Sequence, residues 1–510
     1  MIQQLIDEKN KFIEFSINNK FLYFIIALAT MLSYGIKLVG LNISIDTEAI
    51  IDDFDVQMKA WNSIDRFGLV AFKKLFSLHS FNPFVANFLT IFFLFFTCIF
   101  ICYLVNKISH NKIKSLIIVI LPLLFLTHPI FAEQFNFTLQ SFEVALSMFL
   151  IVCSMILINM YIEYRTPLFL FLSTIFSSWS FLTYQSLIMF YISLSIAIVI
   201  LLLNFNKNLK LLDYLKVISL FLLVFICSMI ITQSLIFIGH QMFSIKSTNY
   251  LNSKITWGKL PFFEILSILK SHFKNILLAK VIFYNLGFVI STLSCFLIFI
   301  KKIILKSRFI SFEILCMLLL NLSPFMLTIF MGNVEPIRSQ MPSMQFVIAF
   351  NFLYVAINLT TKSFLAICIS LALVISFRQG VTTANLFYSE RAKYEEDVVF
   401  ANRINIQLDS LNVSDRKDYS LVLIGEKKVN SNLVIQGETL GRSFFAWDLG
   451  SPYGTSSRAV GFMRTLGYDF KHPSKEEYKK GLLLKENMSA FPKKNSILIN
   501  DNTIFIKLSD

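Results

Sequence analysis

Long apolar runs separated by short Lys-bearing breaks dominate this chain. A run of about 16 to 25 apolar residues has the length that a helix needs to cross a bilayer, where only helices and closed barrels satisfy their backbone. The pattern predicts helices at roughly 21–41, 83–105, 115–131, 142–160, 167–182, 186–203, 217–239, 281–300, 310–331, 343–360 and 363–378. The expected fold is therefore a polytopic α-helical membrane protein with about 11 transmembrane helices over residues 1–380. Residues 381–510 break the pattern. They read as a helix at Ala384 to Leu411, then strand alternation at Tyr419 to Ile424, Ser496 to Asn500 and Thr503 to Leu508. Asn500, Asp501 and Asn502 tolerate positive φ, so the last two strands form a hairpin and the segment a small α/β domain.

A second departure lies at 42–80. Ile50, Phe54, Met58 and Trp61 recur at steps of four, four and three, which predicts an amphipathic helix along the membrane interface. Asp46 stands where its N-cap would be. Glu48, Asp52, Asp55 and Lys59 fall on the face opposite the stripe and read as solvated. Asp46 and Asp53 fall on the flank nearer the bilayer.

Composition agrees with the pattern. Of 510 residues, 55% are hydrophobic and 15% charged, whereas soluble domains carry about a quarter charged residues. A soluble enzyme is excluded. The net charge of +14 sits mostly on the first 380 residues, as a +12 excess, which topological Lys and Arg explain without nucleic acid. With the N-terminus inside, the basic breaks Lys107/Lys112/Lys114, Arg165, Lys207/Lys210/Lys216, Lys301/Lys302/Lys306/Arg308 and Lys362 are cytoplasmic. The loop 240–280 is Lys-rich and outside, an exception that a long loop tolerates. An odd number of spans places residues 381–510 outside as well. Met1 to Lys20 is polar and no small-residue cleavage site follows the first apolar run, so that helix reads as retained. All seven Cys fall in apolar runs, with no disulfide or zinc spacing.

Chemistry concentrates in the first loop. Of 16 acidic residues in the first 380, six (Asp46, Glu48, Asp52, Asp53, Asp55, Asp65) lie within 20 positions. A carboxylate near the bilayer has less water around it, which raises its pKa and suits it to general-base work. Arg66 and Arg338 are outer cations able to bind phosphate oxygens bidentately; Arg338 could equally serve as a partner for Glu335. His128, Tyr184 and Gln185 lie near the outer face and could bind sugar, or simply satisfy helix ends. Trp61 could stack on a pyranose or anchor at the interface. The loop carboxylates could hold a divalent ion through oxygen ligands, but no particular metal is indicated.

Ser44-Ile45-Asp46-Thr47-Glu48 after the first helix, then Trp61 followed by Asp65-Arg66-Phe67-Gly68, resembles the start of the Gtr family of O-antigen glucosyltransferases. These are serotype-converting enzymes often carried by phages. Asp65 stands where that family usually has Gly. Further likenesses are His128-Pro129-Ile130-Phe131 with Glu133 to Phe137, Tyr184-Gln185-Ser186, Arg378-Gln379, Lys393-Tyr394-Glu395-Glu396-Asp397 and Phe491-Pro492. The resemblance implies a GT-C type integral membrane glycosyltransferase of the bacterial inner membrane. It would take glucose from undecaprenyl phosphate glucose and add it to lipid-linked O-antigen repeats on the periplasmic side. It implies work alongside a donor-synthesising glucosyltransferase and a flippase, and no cofactor beyond the donor. On it the catalytic candidates are Asp46 as base, Glu48 as its partner, and Asp52 and Asp53; the substrate-binding candidates are Trp61, Arg66, His128, Glu133, Tyr184, Gln185 and Arg338.

Two other classes compete. A transporter or flippase of lipid-linked sugars would suit the helix count, but Glu143, Glu163 and Glu313 lie near predicted span ends rather than at mid-membrane. An O-antigen polymerase would carry its large outer loop late in the chain, whereas here the acid-rich loop comes first.

Overall fold

The computed structural model describes residues 2–76, 80–206, 208–245, 248, 253–413 and 415–509. Met1, Lys207 and Asp510 lie outside the described residues. Among the described residues, seven helices are long and apolar enough to cross a bilayer: Pro83–Ile108, Thr138–Tyr164, Leu187–Phe205, Leu211–Phe243, Gly287–Ile304, Ile310–Met331 and Lys362–Ser410. Two bent pairs add to them: Ile2–Asn18 with Lys20–Tyr34 at 76°, and Ser115–Leu126 with Ile130–Asn136 at 51°. Pro167–Thr183 and Ser343–Asn358 are shorter apolar helices. The chain is thus a polytopic membrane protein with a small sheet near its C-terminus.

Three predicted elements differ in form. The expected span 115–131 is broken before Pro129, because a proline cannot donate to the helix and disfavours helical geometry in the residue before it. The short arm Ile130–Asn136 that follows is buried throughout. The expected interface helix is two helices, Thr47–Asp52 and Phe54–Ser63, split where Asp53 is extended (φ −148°). Its apolar stripe does not face lipid. Ile50, Met58 and Trp61 are buried with Leu69, Val70, Phe137 and Leu139, because protein packed over the loop offers the stripe a drier partner than the interface.

The third difference joins the two parts. The expected helices 363–378 and 384–411 are one helix, Lys362–Ser410. At about 1.5 Å per residue its 49 residues span more than twice the roughly 30 Å of hydrocarbon. Gly380 lies within it and permits close packing, since a Cβ there would come 2.9 Å from Leu32 Cδ2. The boundary at 380 therefore has continuous helix behind it.

In its C-terminal half this helix carries Glu390, Lys393, Glu396 and Asp397, and these gather the segment 427–444. The Gly441 N–H donates to Glu390 (2.8 Å), Asn430 and Ser431 N–H groups donate to Glu396, and Phe444 N–H donates to Asp397 (3.1 Å). Lys393 pairs with Glu390 at 2.8 Å. The Lys393 to Asp397 motif is accounted for by this lacing. The sheet comprises β1 (Ser420–Ile424), β2 (Ile497–Asn500) and β3 (Thr503–Lys507), in the order β1-β3-β2. β2 and β3 form the expected hairpin, turning at Asp501 with φ 50°, and β1 joins β3 in parallel. Both β1 and β3 are buried along their whole length.

The acidic residues at span ends are neutralised. Glu143 pairs with buried Lys73, Glu313 with Lys302 at 2.7 Å, and Glu163 with Lys11 and Lys107.

Candidate active site

The first loop follows the short helix Ile36–Val39 and is pinned at once. Ser44 Oγ donates to the carbonyl of Asn136 on the short arm, and Ile45 is buried in the core of the C-terminal segment with Phe400, Phe462 and Met463. Asp46 then takes a left-handed backbone (φ 71°), which Asp adopts more readily than most residues. With Ser44, Ile45 and Thr47 all buried, this turn directs the Asp46 carboxylate toward the C-terminal segment.

Arg458, on the helix Ser456–Thr465, meets it there. Its Nη1 forms an ion pair with Asp46 Oδ1 (2.7 Å) and donates to Glu48 Oε1 (2.9 Å), while its Nε donates to Asp448 Oδ2 (2.7 Å). One turn on, Gly461 leaves room for Glu48, whose Cγ lies 3.2 Å from where a Cβ would stand. The two loop acids differ in access: the side chain of Asp46 is 36% exposed and that of Glu48 2%. Burial pushes the Glu48 carboxyl up to about 7, against the pull of Arg458. Asp52 is held by the same segment, through Arg464 Nε (2.9 Å) and His472 Nε2 (2.8 Å).

This corrects the loop reading on three counts. Asp46 occupies the N-cap position but makes no capping bond; Asp53 is the capping residue, accepting from Val56 N–H at 2.9 Å. Glu48 and Asp52 are engaged by protein cations rather than solvated, because the C-terminal segment covers their face. Asp53 and Asp55 remain exposed and apart from Arg458. Trp61 is enclosed in the cluster with Leu69 and Phe137, which removes its ring from stacking on a sugar.

A second clasp lies at the short arm. Glu133 accepts hydrogen bonds from the Thr439 hydroxyl (2.7 Å), from Thr439 N–H (3.1 Å) and from Glu438 N–H. Gly437 is required here, since a Cβ would stand 2.2 Å from Glu133 Oε1. The Glu438 carboxylate in turn accepts from Ile337 N–H (3.1 Å) and pairs with Arg338 at 3.5 Å. Arg338 thus has Glu438 as its partner, where sequence proximity suggested Glu335, and its guanidinium lies 4.8 Å from the Phe137 ring centre. Arg66 donates to Gln140 Oε1 (2.8 Å) and stacks on Tyr184. Gln185 sits half-buried in the turn after Tyr184. His128 is buried at the bend before Pro129, with Ile130 N–H 3.4 Å from its Nδ1.

Sequence reasoning missed Arg458, Arg464, His472, Asp448 and Thr439. No local spacing marks Arg458, Arg464, His472 and Thr439, because their partners Asp46, Glu48, Asp52 and Glu133 lie hundreds of positions away, and Asp448 enters only through Arg458. Among the described residues, no group of three or more His, Cys, Asp or Glu could hold a metal ion.

The family model of glucosyl transferase GtrII matches residues 35–356, from the end of the first span through the first loop and most of the membrane part. The chain belongs to the GtrII glucosyltransferase family. It is a membrane-embedded glycosyltransferase, and the matched region of the GtrII chain contains Asp46, Glu48 and Asp52 but stops short of Arg458. No curated protein and no solved structure matches the chain.

Proposed function

We propose that this GtrII-family protein transfers glucose from undecaprenyl phosphate glucose to lipid-linked O-antigen repeats at the periplasmic face of the inner membrane. The observation that carries this reading is the meeting of the loop carboxylates with Arg458, inside a loop that belongs to the glucosyltransferase family match. Asp46 is the general base. It takes the proton of the acceptor hydroxyl as that oxygen bonds to the anomeric carbon of glucose. The bond from that carbon to the phosphate oxygen breaks in the same step, and its electron pair leaves with the lipid phosphate. Glu48, buried beside Asp46, is its partner, and Arg458 holds both. Arg458 also keeps positive charge beside this acidic pair, which offsets the burial that raises the Glu48 carboxyl. Residues 381–510 form the periplasmic cover of this centre. A donor with a single leaving phosphate does not by itself call for a metal, and no step in this scheme uses one.

The test is chemical. In cells that also make the donor and flip it, expression should add one hexose per O-antigen repeat, read by mass and linkage analysis of the polysaccharide. An unchanged repeat mass in the presence of donor would refute the reading. Orientation has its own measurement: a phosphatase reporter fused after Asp510 should be active and one at Lys207 silent. Activity at both positions would overturn the periplasmic placement of the acid loop.

A further inference from the structure

A groove of about 520 Å³ lies beside the first loop, between the helix Phe67–Leu75 and the C-terminal halves of helices Pro167–Thr183 and Leu211–Phe243. Two glycines set its walls. A Cβ at Gly68 would come within 2.7 Å of Thr183 Oγ1, and one at Gly239 within 2.6 Å of the Phe67 ring, so the loop helix seats directly across the two membrane helices. Most of the lining is apolar, including Val70, Ile175, Leu182, Ile231, Leu235 and Ile238.

Besides Ser178, whose hydroxyl donates to the Thr174 carbonyl, three polar groups interrupt it. Lys74 is exposed at the groove, with its ammonium 5.7 Å from the Phe243 ring centre, whereas its neighbour Lys73 turns inward to Glu143. Asn62 is 6% exposed, and its Oδ1 has no partner among the described residues. The buried Trp179 Nε1 likewise has none. Buried polar atoms without partners are costly, and the two residues that carry these atoms line the same apolar groove as a cation. Their needs are opposite, since Trp179 N–H must donate and Asn62 Oδ1 must accept. A phosphate satisfies Lys74 and Trp179 but cannot donate to Asn62. A sugar hydroxyl can.

We infer that this groove binds a single-phosphate isoprenoid glycolipid, with its chain along the apolar wall and its sugar phosphate at Lys74, Trp179 and Asn62. The inference rests on the donor class proposed above and adds where that donor docks. It moves phosphate recognition away from Arg66 and Arg338, which are engaged by Gln140 and Tyr184 and by Glu438 and Phe137. The groove and the acid loop are contiguous in the chain, so the donor headgroup would lie beside the helices that follow Asp46.

Full-length protein in nanodiscs should be irradiated with a benzophenone-bearing polyprenyl phosphate. Labelled peptides are expected from 175–182 or 231–242. Undecaprenyl phosphate should compete with the label and phosphatidylglycerol should not. Ala71→Trp, which fills the groove, should abolish labelling. Lys74→Gln, a surface change that leaves the core intact, should raise KM for the donor about tenfold with kcat within about twofold, the pattern of a lost binding contact. Equal competition by phosphatidylglycerol would mean that the groove holds bulk lipid, and would overturn the inference. Labelling elsewhere that polyprenyl phosphate still displaces would also overturn it, while leaving the donor class standing. Labelling that polyprenyl phosphate displaces nowhere would remove the donor reading itself.

Discussion

Asp46→Asn is expected to lower glucosylation by on the order of 10²- to 10⁴-fold, the usual weight of a general base, with membrane levels unchanged. Asn keeps the shape of the side chain and tolerates the left-handed backbone that Asp46 adopts (φ 71°). Arg458 retains Glu48 and Asp448 as partners, so the fold loses one ion pair of three. Access singles out Asp46: it is 36% exposed beside a Glu48 that is 2% exposed, and only the more open carboxylate can reach an acceptor hydroxyl. Asp55→Asn, on an exposed position away from Arg458, should leave activity within about twofold, as surface changes usually do. The assay is glucosylated O-antigen at matched protein levels. Full activity in Asp46→Asn would end its assignment as base. If Asp52→Asn or Asp53→Asn abolished activity instead, the loop would remain the site with a different acid at its centre.

Arg458→Gln is the second large effect, on the order of 10²-fold at neutral pH, because the guanidinium holds Asp46 and Glu48 together at the proposed centre. Its pH profile separates chemistry from mere support. With Arg458 in place the Glu48 carboxyl stands at about 7, raised by burial and restrained by the guanidinium. Without Arg458 burial meets much less opposition, so Glu48 keeps its proton to higher pH. The acid limb of the rate profile should therefore move to more alkaline pH, and part of the lost rate should return as pH rises. Arg458→Lys keeps the charge and should hold the limb near its original place, although it cannot reproduce the forked geometry. A uniform loss of rate with an unmoved profile would reduce Arg458 to a structural tie between loop and C-terminal segment.

Much of the membrane part was legible along the chain because a bilayer imposes a local rule. Each span must be long and apolar enough by itself, so Pro83–Ile108 and Leu187–Phe205 appear where the apolar runs are. The terminal hairpin was legible for a similar reason, since β2 and β3 are joined by a short turn whose residues accept positive φ. Errors arose where packing overrode local pattern. Met58 and Trp61 form a stripe of the right period for an interface helix, yet that stripe faces Phe137 and Leu139 from the far side of the short arm. Ala384 to Leu411 was read as a separate helix, because nothing local reveals that the helix from Lys362 runs on past Gly380 against Leu32.

By itself the sequence determined that this is a multi-spanning membrane protein with its acids concentrated in the first loop. Local composition and spacing carry both properties. Only the tertiary structure decided which of those acids act together. Asp46 and Glu48 share Arg458 across some 410 positions, Asp52 turns to Arg464 and His472, and Asp53 is left capping a helix. An ion pair depends on distance in space and on how far water is excluded, and neither leaves a period in the chain when the partners sit on different elements.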